Sequence, residues 1–124
     1  MRLTKTTLTL AGVLLLVAGP ALAHEAAGKN GGRMTDAGRY HVELVTKDTT
    51  VDVYVSDGSE QPVPAAGFKG SAILVAGSKP ARVTLTPADG NKLTGTAEVS
   101  LPANPRGAVQ LTAPDGMSAS GKFN

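Results

Sequence analysis

No cysteine and no tryptophan occur among the 124 residues, and there are only two tyrosines, two phenylalanines and two histidines. Each scarcity closes off a class of function. Without cysteine there is no disulfide framework, no thiolate nucleophile, no thiolate-bound metal and no lipid-anchored N-terminal cysteine. Four aromatic rings are too few for the stacking platform that single-stranded nucleic acid requires. Two histidines leave little material for acid–base catalysis. The sequence has no Gly-x-Ser-x-Gly elbow, no phosphate-binding Gly-rich loop followed by a helix and no His-Glu-x-x-His. His24-Glu25 opens like the last of these, but position 28 is Gly. An enzyme is not expected.

A charge excess of either sign is also missing once the N-terminus is set apart. Arg2 and Lys5 precede an apolar run from Leu8 to Val17, and Ala21-Leu22-Ala23 follows as a small-x-small cleavage site. Gly19-Pro20 breaks the run well short of the roughly 20 apolar residues that a membrane span needs. Residues 1–23 are therefore expected to be a cleaved signal peptide, which makes the protein secreted to the periplasm, with no membrane attachment after cleavage. The remaining 101 residues carry ten basic and ten acidic side chains. A neutral mature chain removes the electrostatic case for nucleic acid or an anionic membrane as partner.

What is present is β-forming sequence. Arg39-Tyr40-His41-Val42-Glu43-Leu44-Val45 and Thr50-Val51-Asp52-Val53-Tyr54-Val55 flank a short polar connector, Thr46 to Thr49, and predict a hairpin. Alternation puts Tyr40, Val42 and Leu44 on one face and His41 and Glu43 on the other. Further alternating runs cover Phe68–Val75, Ala81–Thr86, Lys92–Val99, Ala108–Thr112 and Ser118–Phe123, with turn residues between them. Val83, Leu85, Val109 and Leu111 are expected to point inward, and Gly95 is expected to weaken its strand. About seven short antiparallel strands at 8 to 12 residue spacing predict an all-β, immunoglobulin-like β-sandwich over residues 33–124. The Ser56 to Gly67 stretch, with its Asp-Gly and two prolines, is expected to carry the chain between sheets. Residues 24–32, rich in Gly and Asn, are expected to be a flexible N-terminal tail.

The chemistry left to such a domain is metal binding or protein interaction. Cleavage before His24 places an α-amine and an imidazole on one residue, and both deprotonate near neutral pH. His41 supplies a third nitrogen, a set that suits copper or zinc, and Glu43 is the carboxylate expected to complete the metal site. Glu25, Met34 and Met117 are further candidate ligands. The alternative is a non-enzymatic interaction module with no ligand of its own, working through an exposed sheet edge or the Ser56 to Gly67 loop.

Gly31-Gly32-Arg33-Met34, Tyr40 to Val45, Val53-Tyr54-Val55-Ser56-Asp57 with Pro62-Val63, Val83 to Pro87 and Asn91 to Gly95 together give the chain a further likeness. Over most of residues 31–123 it resembles the small N-terminal β-domain of periplasmic adaptor subunits of heavy-metal efflux pumps, and that domain's stand-alone exported relatives. The resemblance implies an accessory role near metal homeostasis, with a metal-efflux component as partner. The adaptor hairpin and lipoyl-like regions have no counterpart here, so transport itself is not implied, and the resemblance designates no site residues.

Overall fold

The computed structural model describes residues 25–124; the expected signal peptide and His24 lie outside the described residues. All regular structure among the described residues is strand, and no helix there is long and apolar enough to cross a membrane. The strands are β1 (Ala26–Ala27), β2 (Arg33–Ala37), β3 (Tyr40–Lys47), β4 (Thr50–Ser56), β5 (Lys69–Ala76), β6 (Lys79–Pro87), β7 (Lys92–Thr96), β8 (Gly107–Thr112) and β9 (Ser118–Phe123). They form one antiparallel sheet in the order β1-β2-β3-β4-β7-β6-β5-β8-β9. The sheet curls into a half-barrel, and β2 near one end lies against β9 at the other.

The period-two pattern explains the core. In the β3–β4 hairpin Val42 stands opposite Val55 and Leu44 opposite Val53, and all four are buried together with Val51. Ala72 and Leu74 of β5, Val83 and Leu85 of β6, and Val109 and Leu111 of β8 face them from across the half-barrel. Each buried Val or Leu contributes about 1.5–3 kcal/mol. Phe68, just ahead of β5, is buried and meets Tyr40 edge-on, the ring centroids 5.3 Å apart. The hairpin turn is tighter than the expected connector, because β3 runs to Lys47 and only Asp48 and Thr49 remain between the strands. Asp48 takes φ 56° there, a left-handed conformation that Asp tolerates better than most residues.

The connection from Asp57 to Phe68 carries the chain past two strands, since β7 and β6 lie between β4 and β5 in the sheet. Asp57 organises its start: one carboxylate oxygen accepts the N–H groups of Ser59 and Gln61. β6 is the hinge of the curl. Most of its length pairs with β5, and only Thr86 and Pro87 pair with β7. Gly95 of β7 sits where a Cβ would overlap the carbonyl oxygen of Thr84, so the glycine permits the close approach of the two strands. β7 ends at Thr96, short of the expected Val99, and the chain to Pro105 is irregular with Ala97 and Leu101 tucked into the core.

The expected free tail is the largest departure. Residues 25–32 form β1 and a turn laid along β2, with Ala26 opposite Met34 and Ala27 opposite Arg33. Glu25 accepts hydrogen bonds from Arg33 and from the N–H of Asn124, and Arg33 also donates to the carbonyls of Asn124 and Pro105. The segment thus ties both ends of the described chain together over Phe123, whose ring lies 5.4 Å from the Arg33 guanidinium carbon.

Candidate functional site

The face of β2, β3 and β4 turned away from the core carries rows of side chains set by register. One row runs Asp36, His41, Ser56; the next runs Met34, Glu43, Tyr54. His41 and Glu43 therefore share a face, as the alternation predicts, but the structure gives them different partners. His41 Nε2 lies 3.1 Å from Asp36 Oδ1, and its Nδ1 is buried without a hydrogen-bond partner among the described residues. Asp36 was not among the expected ligands; its place directly opposite His41 follows only from the register of the β2–β3 pairing.

Glu43 is 4% exposed despite facing outward, because the turn after β1 covers it. The N–H of Gly32 donates to Oε2 at 2.9 Å, and the N–H of Asn30 is shared between Oε2 at 2.9 Å and Oε1 at 3.2 Å. Asn30 Nδ2 donates to Oε1 at 2.9 Å. Gly28 packs directly on the carboxylate, since a Cβ there would overlap its carbon. The Gly-Asn composition that suggests freedom in sequence is used for close approach. Both oxygens of Glu43 are occupied, and a metal would have to displace those donors. Among the described residues no three His, Asp or Glu side chains gather as a metal-ligand cluster, and His24 lies outside them.

Beside Glu43 the surface opens into a groove of about 240 Å³. Its floor is the row Met34, Glu43 and Tyr54; Ala27, Lys29 and Asn30 form one wall, and Ser56, Glu60 and Pro62 with Asn91 form the other. Asn91 is fixed by donating from Nδ2 to the carbonyl of Val55 at 3.0 Å, and Lys29 Nζ reaches the carbonyl of Glu60 at 3.4 Å. The groove therefore has an apolar floor of Met34 and the Tyr54 ring, one buried carboxylate and a polar rim.

No family model, no curated protein and no solved structure matches this chain.

Proposed function

We propose that this chain is a non-enzymatic periplasmic interaction module that docks a partner polypeptide in the groove floored by Met34, Glu43 and Tyr54. One observation carries this. The two surfaces that an interaction module of this sequence would use, the sheet edge and the connection after Ser56, converge as the opposite walls of that groove. Tyr54 at its floor is the kind of amphipathic anchor that dominates such interfaces. The fold we infer is immunoglobulin-like. In its support, β3-β4-β7-β6 followed by β5-β8-β9 matches the strand order of the two sheets of a constant-type domain, with β6 bridging them.

A second reading keeps the exported protein as a copper or zinc accessory protein serving heavy-metal efflux. His41 favours it: among the described residues one ring nitrogen is buried without a partner, and the other faces the carboxylate of Asp36, which is well exposed. In that case Asp36 takes the carboxylate place first assigned to Glu43, beside His41 and His24.

One experiment separates the two. A photo-reactive residue at position 54 in the exported protein, compared with one at Ser71 on β5, is irradiated in periplasm with and without chelator. A cross-link specific to position 54 that survives chelator is expected. A cross-link lost both in chelator and in His41→Ala favours the metal reading instead.

A further inference from the structure

Residues 25–32 are Glu, Ala, Ala, Gly, Lys, Asn, Gly and Gly, and none of them is buried. β1 adds only two register pairs to β2. With no apolar anchor, the segment is held by polar contacts, and those to Glu43 dominate its turn. Glu43 itself has no packing reason to be a carboxylate, since it lies on the outward face between Met34 and Tyr54. Burying an ion is costly unless it is well paired. No cation forms an ion pair with it among the described residues. In the closed state the carboxylate gains charge-assisted hydrogen bonds; in an open state it regains its hydration. These terms oppose one another, and a segment with so little buried surface is drawn from the low-stability end of a fold.

We propose that residues 25–32 are a strap latched by Glu43, and that its release opens the groove to a partner segment offering N–H donors. This rests on the groove being the docking surface. The strap supplies the groove wall made by Ala27, Lys29 and Asn30, so lifting it widens the groove and uncovers Glu43 between Met34 and Tyr54. The strap is also the template for what replaces it. Glu43 now receives two backbone N–H groups and one amide side chain, and an incoming polypeptide must offer donors of the same kind in the same place.

The test is hydrogen exchange read by mass spectrometry on the full exported protein, as wild type, Glu43→Gln and Gly28→Ala. Wild type should protect the amides of Asn30 and Gly32. Both variants should speed exchange across 28–34 by about tenfold or more while β4 and β8 stay protected. Unprotected amides at 30 and 32 in wild type, unchanged exchange in both variants, or an equal rise throughout the domain would overturn the latch. In a Tyr40→Phe background, acrylamide quenching of Tyr54 emission should rise with Glu43→Gln. A strap that opens in Glu43→Gln without raising the cross-link from position 54 upholds the latch and removes the groove as the docking surface.

Discussion

Gly95 and Gly28 show how one missing Cβ can permit a close approach, of strand to strand at Gly95 and of turn to side chain at Gly28. Gly95 takes no left-handed φ, so alanine fits its backbone. On unfolded-state entropy alone, Gly95→Ala would stabilise by about 0.4–1 kcal/mol. The carbonyl of Thr84 decides otherwise, because it occupies the space of the added methyl, and such overpacking costs about 1–3 kcal/mol. The clash should win. Gly95→Ala should lower the urea midpoint with an unchanged slope, and an unchanged or higher midpoint would mean that β6 and β7 have room to part. Neither glycine was legible as a contact residue in sequence. Local pattern marks glycine as a breaker, whereas what demands it here is a neighbour far along the chain. Glu43 was legible as an outward residue of its strand, and its four hydrogen-bond contacts to the strap were not.

At the scale of elements, the period of two carried most of the information. The β3–β4 hairpin, the inward residues of β5, β6 and β8, and the closing strand β9 all follow from alternation, because a half-buried strand must put apolar side chains on one face. Strand ends were less legible, since pairing partners decide them: β7 stops where β4 stops pairing with it, opposite Thr50. Two turns are joined by charge. Arg39, between β2 and β3, pairs with Asp115, between β8 and β9, and stacks on the Tyr40 ring at 5.1 Å. The N–H of Met117 and the Arg39 guanidinium hold the Asp115 carboxyl below its ordinary value of 3.8. Asp115 raises Arg39, whose charge is in any case constant over the working range. A depressed carboxyl stabilises the fold above its unfolded pKa, and that contribution fades as pH falls through the folded pKa. Wild type should therefore be slightly more stable than Asp115→Asn at neutral pH, with the two thermal midpoints converging below about pH 4. Both groups are exposed, so the gap should be small and should shrink in salt. A gap that widens in acid would show that the ion pair does not couple the turns.

For the whole molecule, the sheet order brings distant sequence to one place. β2, β3 and β4 lay out the floor of the groove, while the N-terminal strap and the β4–β5 connection raise its walls. All-β architecture was legible from turn spacing and alternation. The groove was not, because one of its walls is the strap, which is tied down at Glu43 and, through Glu25 and Arg33, at Asn124 by contacts far apart in the chain. Docking is proposed to run through this groove and not through the histidines. It is tested most directly by equilibrium binding of the partner captured from position 54, in metal-free buffer, to wild type, Tyr54→Ala and His41→Ala. Loss of the Tyr54 ring should weaken binding by about tenfold or more, roughly 1.4 kcal/mol, while His41→Ala stays within about twofold of wild type. The opposite order, with His41→Ala abolishing binding and Tyr54→Ala leaving it intact, would place docking at the histidine and not in the groove.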